Sequence, residues 1–209
     1  MITIEFARTL YPADADSAHD FDHVLRVVTM ADRLAQAEGA NRNIVRAAAL
    51  LHDIGLDEGR AGHETSAANR AAEILREQGY PEDFWRAVAH AIESHRFRSG
   101  PTPQTLEAKV LFDADKLDAI GAIGVARAFA FGAHRGQKLW GAVPADYTDQ
   151  MNGVEADPRE HTAVHEFHVK LSKIRDRLFT TTGKKIAAER HAFMVEFYEQ
   201  LDREVKGVA

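Results

Sequence analysis

The chain has 209 residues and a mass of 23.2 kDa, enough for one domain, or one domain with a small appendage, around a sizeable core. Its 45% hydrophobic and 28% charged content contains no apolar run that would span a bilayer, and a formal net charge of −6 gives no general attraction to nucleic acid. The absence of cysteine excludes disulfides, a thiol nucleophile and thiolate metal sites, so any metal must be held by His, Asp or Glu, and His alone occurs 11 times.

Acidic residues stand at the N-terminus where a secretory leader needs a basic start, which gives the cytoplasm as the expected location. Ser17 is placed to cap a helix running to about Glu38, with Val24, Val27, Val28, Ala31, Leu34 and Ala35 as its apolar stripe. Asn41 or Asn43 starts a second helix that reaches His52, and Gly55 to Gly62 reads as a loop. A third helix is expected over Glu64 to Gln78. A fourth begins with Pro81 in its first turn and ends near His95. After the break "RSGPTPQT", helical spacing returns from Leu106 to about Ala133, weakened by Gly121 and Gly124, which permit close packing or an interruption. Residues 134–158 are glycine- and proline-rich and long enough to act as a functional lid. Two final helices are expected over Arg159 to Phe179 and Lys184 to Lys206, the latter with Phe193, Phe197 and Leu201 on one face. The fold class is therefore all-α.

The stretch "AAALLHDIG" carries an imidazole and a carboxylate, His52 and Asp53, at the end of an apolar helix. A lone His in such a place is ordinarily a hydrogen-bonded core residue, but this one has company. His23 shares the inward stripe of Val27, Met30 and Leu34, and Asp115 follows Leu111 by one helical turn. Adjacent side chains on a regular helix diverge by about 100°, yet at a helix end both can reach one ion. Two neutral imidazoles and two carboxylates suit a divalent Mn, Fe, Mg, Co, Ni or Zn ion, and the ion would offset the cost of burying the carboxylates.

These residues resemble the pattern of the HD-domain superfamily of metal-dependent phosphohydrolases, in its small stand-alone bacterial branch. The matching positions are His23 in "HDFDHVLRV", His52 and Asp53 in "LLHDIG", and Asp115 in "DADKLDAIGAIGVAR". The resemblance implies a single HD domain over residues 1–209, with a metal-binding core at about 17–135, the loop at 134–158, and C-terminal helices at about 159–206 packed on the helical bundle. It also implies that His23, His52, Asp53 and Asp115 are metal ligands. His63 in "GHETSA" and His95 in "AIESHRF" fall where binuclear members carry extra ligands, so they are expected to hold a second metal or phosphate.

Leu56 departs from the family pattern. It occupies the position where some members carry an acidic proton-handling residue, three after the Asp, and where others carry Lys after the Gly. The family's acid/base assignment therefore does not carry over and that role stays open, with Asp57, Glu58 and Glu64 as nearby candidates. Asp53 and Asp118 are the expected catalytic residues, Asp118, one turn beyond Asp115, being placed to align a water or a substrate hydroxyl. Lys116, Arg96, Arg127 and Lys138 are expected to meet phosphate charge, and Arg26 is a further cation with an equally ordinary structural role. His19, one turn before His23, can orient an imidazole. Arg135, Lys138 and Trp140 in "RGQKLWG" can close over a nucleotide.

The expected reaction is hydrolysis of a phosphoester or phosphoanhydride in a small phosphorylated molecule, a nucleotide first of all, with pyrophosphate release from a nucleoside triphosphate as the specific form. The resemblance leaves two alternatives. One is a di-iron oxygenase using His23, His52, Asp53, His63, His95 and Asp115; the other is a non-catalytic nucleotide-binding module. No membrane contact and no nucleic-acid surface are expected, and a homodimer is compatible with the sequence without being required by it.

Overall fold

A computed structural model describes residues 1–12, 21–54, 63–97, 101–145, 147 and 159–208. Among them the chain is all-α and no strand occurs. No described helix is long and apolar enough to cross a membrane. Ser17, His19, Leu56, Asp57 and Glu58 lie outside the described residues, as do the side chain of His63 and most of the 146–158 segment.

Two compact units form. The first comprises Met1–Lys116 with Leu178–Gly183, and the second Leu117–Arg177 with Lys184–Ala209.

The first unit contains α1 (Ile4–Arg8), α2 (Phe21–Glu38), α3 (Arg42–Leu51), α4 (His63–Glu77), α5 (Glu82–Glu93) and α6 (Leu106–Asp118) up to Lys116. α2 buries the apolar stripe expected of it, Val24 through Ala35, together with His23. The Asn41 side chain caps α3 by accepting from the amides of Asn43 and Ile44 at 3.1 and 3.4 Å. α3 then buries Val45 and every residue from Ala47 to Leu51. A helical segment apolar on all sides, such as residues 47–51, belongs in the middle of a bundle, and α3 packs against α1, α2 and α5. Burying side chains such as Leu50 and Leu51 contributes about 1.5–3 kcal/mol each. Pro81 takes the N-cap position of α5, one residue outside the first turn where the sequence put it.

The long helix expected from Leu106 to Ala133 is two helices, α6 and α7 (Gly121–His134), broken at Ala119 and Ile120. The glycines explain the break. Gly121 has φ +78°, open to glycine at little cost, and a Cβ on Gly124 would stand 2.3 Å from the carbonyl oxygen of Ala119.

In the second unit the helix expected over 159–179 is likewise split. α8 (Ala163–Val169) stops where Lys170 leaves helical geometry at φ −137° and ψ −57°, and a 3₁₀ segment continues over Leu171–Arg177. The last helix, α9 (Thr181–Val205), begins three residues before the expected Lys184. Asp113 is responsible. This fully buried carboxylate accepts the amides of Phe179 and Thr180 at 2.9 and 2.7 Å and the Thr180 hydroxyl at 2.6 Å. It thereby supplies acceptors for donors that a helix start leaves unpaired.

Candidate metal centre

His52 sits at the C-cap of α3, where the helical ladder ends and adjacent side chains are released from a fixed divergence. Its ring is fully buried, and its Nδ1 lies 2.9 Å from the carbonyl oxygen of Ala49. A carbonyl only accepts, so Nδ1 carries the proton and Nε2 presents a lone pair. Nε2 has no hydrogen-bond partner among the described residues. Such an atom is costly to bury unless something takes its lone pair. Burial also lowers the pKa of His52 and favours the neutral ring.

The other groups close around that atom. Asp53 Oδ2 is 3.5 Å from His52 Nε2 and 3.7 Å from Nε2 of His23, a residue 2% exposed in the first turn of α2. From α6, Asp115 directs Oδ1 to within 3.5 Å of His23 Nε2. One ligand atom each from His23, His52 and Asp115 lies within 4.8 Å of the others. His95, just past α5, turns Nδ1 to the carbonyl oxygen of Ile92 at 2.5 Å and points Nε2 at Asp53 Oδ1, 3.7 Å away. The Asp53 carboxylate therefore faces His23 and His52 with one oxygen and His95 with the other.

Burial opposes ionisation of both carboxylates and is outweighed at each. The surrounding His52, a hydrogen bond and charge from His95, and His23 hold Asp53 well below the usual range. The Lys116 ammonium, with His52, His23 and His95 behind it, lowers Asp115. Lys116 bonds Asp115 Oδ2, the oxygen turned away from His23.

The donor set fits a divalent cation. Ligands at roughly 2.1 Å from a metal stand about 3.0–3.4 Å apart, slightly closer than these atoms, and they need neutral imidazoles and ionised carboxylates. Burial favours the neutral ring at His52, and the pKa values of Asp53 and Asp115 are both lowered.

The remaining described residues singled out from sequence have the following partners. Arg96 bonds Glu64 at 2.8 Å, joining the end of α5 to the start of α4. Asp118 and Arg127 pair with each other in the second unit, where the guanidinium spans the carboxylate at 2.8 Å and the Asp118 carbonyl at 3.0 Å. Lys138 bonds Glu160 at 2.7 Å on an exposed surface. Sequence reasoning passed over Tyr11, whose hydroxyl donates to the Leu50 carbonyl at 3.0 Å. Burial, then the charge of Asp53, pushes that phenol well above its usual pKa and keeps it a donor. Nothing local in the sequence marks it.

The HD domain family matches residues 20–120. An uncharacterized protein of Bacillus subtilis, YpgQ, is 33% identical over 199 residues, covering 93% of this chain and 88% of that one. The crystal structure of Bacillus subtilis YpgQ in complex with ADP superposes with a TM-score of 0.76 at 30% identity, over 99% of this chain and 100% of that one. An HD-superfamily hydrolase from Bacillus thuringiensis gives a TM-score of 0.72 at 34% identity, over 97% and 94% of the two chains. The chain belongs to the HD-domain family and has the fold of its hydrolases.

Proposed function

We propose that the protein is a metal-dependent phosphohydrolase of nucleotides, with His23, His52, Asp53 and Asp115 as the ligands of a divalent ion. The observation that carries the reading is the buried, unpartnered Nε2 of His52 facing a second imidazole and two carboxylates held ionised. A divalent ion there would supply Lewis acidity to a phosphoryl oxygen and make a water nucleophile available at neutral pH.

The chain's own residues do the positioning. Ala49 and Ile92 hold the rings of His52 and His95 with Nε2 inward. Lys116 orients Asp115 and leaves Oδ1 for the site. Tyr11 braces the end of α3 through Leu50. The substrate class rests on the relative solved with ADP, and pyrophosphate release from a nucleoside triphosphate is its specific form. Steady-state assay of a nucleoside triphosphate panel with Mn²⁺, Mg²⁺ or Co²⁺, scoring phosphate against pyrophosphate, tests it. Absence of turnover on every member would defeat the reading.

A second ion has one observation in its favour: Asp53 offers Oδ1 toward His95 while Oδ2 serves His23 and His52. A carboxylate with its two oxygens directed this way would also suit a di-iron oxygenase. An iron-dependent optical spectrum with oxygen uptake would favour that chemistry, and a colourless enzyme active with Mn²⁺ would exclude it.

A further inference from the structure

A cavity of about 700 Å³ lies in the second unit, and no residue of the metal centre lines it. Its size is that of small-molecule sites. Three aromatic side chains, Trp140, Phe167 and Tyr198, contribute to its walls, and the last two stack with ring centroids 4.5 Å apart and an interplanar angle of 22°. The wall at Ala142 is fixed from behind, because its carbonyl oxygen lies 3.1 Å from Nε2 of His165, whose Nδ1 lies 2.8 Å from the Thr162 hydroxyl. Tyr198 is 5% exposed, and its hydroxyl has no hydrogen-bond partner among the described residues. Such a phenol favours a ligand that brings an acceptor. At the rim, Lys206 is committed to Asp202 at 2.6 Å, so the carboxylate of Glu199 sets the sign of the charge.

We propose that this cavity binds a flat, uncharged heterocycle bearing hydroxyl groups, of the nucleoside class. Aromatic walls take the planar ring, Tyr198 donates to a ring acceptor, and Glu199 accepts from sugar hydroxyls. The same carboxylate repels phosphate, so the preference is opposite to that of a phosphohydrolase centre. The proposal stands independently of the metal-centre reading.

Adenosine is the probe. The chain has two tryptophans, so a Trp85→Phe protein reports Trp140 fluorescence alone. Adenosine should quench it saturably in the submillimolar range with one-to-one calorimetric heat, and AMP should bind more weakly. Tyr198→Phe should weaken binding about tenfold. Val195→Phe, which adds volume at the wall, should weaken it as well, while His52→Ala should leave it unchanged. Three results would each overturn the proposal: no saturation at several millimolar adenosine, tighter binding of AMP than of adenosine, or loss of binding in His52→Ala with Tyr198→Phe silent.

Discussion

His52 donates from Nδ1 to the carbonyl oxygen of Ala49 at 2.9 Å, three residues back along the same helix. This one bond decides the tautomer and aims Nε2 where His23, Asp53 and Asp115 meet. The backbone of α3 thus orients the His52 imidazole, as the Ile92 carbonyl does for His95.

Lys116→Met removes the ammonium on Asp115 Oδ2 while keeping most of the side-chain bulk. Metal affinity should fall about 10- to 100-fold, the usual effect of losing a group that orients a ligand. Competition with a chelator of known affinity measures it; unchanged affinity would show that Lys116 does not orient Asp115.

Arg96→Ala leaves the carboxylate of Glu64 buried without its guanidinium. A loss of about 1–3 kcal/mol is expected, below that of a fully buried pair because Arg96 keeps contact with water. Urea unfolding should further show that Glu64→Gln combined with Arg96→Met recovers part of the loss. Additive losses would refute the pairing.

Asp113→Ala strips two amides and a hydroxyl of their acceptor at the start of α9. About 2–4 kcal/mol should be lost. Gly183→Ala should also destabilise, since its Cβ would stand 2.5 Å from Asp113 Oδ2. Denaturant midpoints of both variants equal to the parent's would contradict this account of where α9 begins.

Acid should weaken the second unit through Glu166. Burial raises its pKa, but the hydrogen bond with His161 and the charge of Lys170 outweigh burial and lower it to about 2 from 4.5. A depressed carboxylate stabilises the fold fully above the unfolded value and loses that contribution as pH falls from about 4.5 to 2. With solvent screening the contribution is about 1 kcal/mol. Glu166→Gln should therefore flatten the stability profile in that window. An equally steep acid limb in the variant would contradict the assignment.

The parts of this architecture with a local signal were legible in the sequence. The α2 stripe, the Asn41 cap and the placing of His23, His52 and Asp115 against apolar faces all follow from helical spacing, and the structure brings these residues to one place. What spacing does not carry is partnership across the chain. Glu64 with Arg96 and Asp113 with Thr180 are separated by 32 and 67 residues, so no periodicity announces them. Asp118 illustrates the same limit: one turn from Asp115 along α6, its carboxylate engages Arg127 from α7. The break at Ala119 was signalled in part, since Gly121 and Gly124 already weaken the pattern there, whereas the one at Lys170 was hidden because helical spacing continues through it and only a backbone departure decides it.

The central claim is that His52 Nε2 binds a divalent ion shared with His23, Asp53 and Asp115. Elemental analysis of protein purified without added metal, paired with Mn²⁺ titration and nucleotide turnover, tests it in the parent and in folded His52→Ala. At least one ion per chain is expected in the parent. The variant should lose the ion, with turnover down about a thousandfold or more, the several kcal/mol that a Lewis acid supplies. A variant with full metal content and full activity would contradict the account.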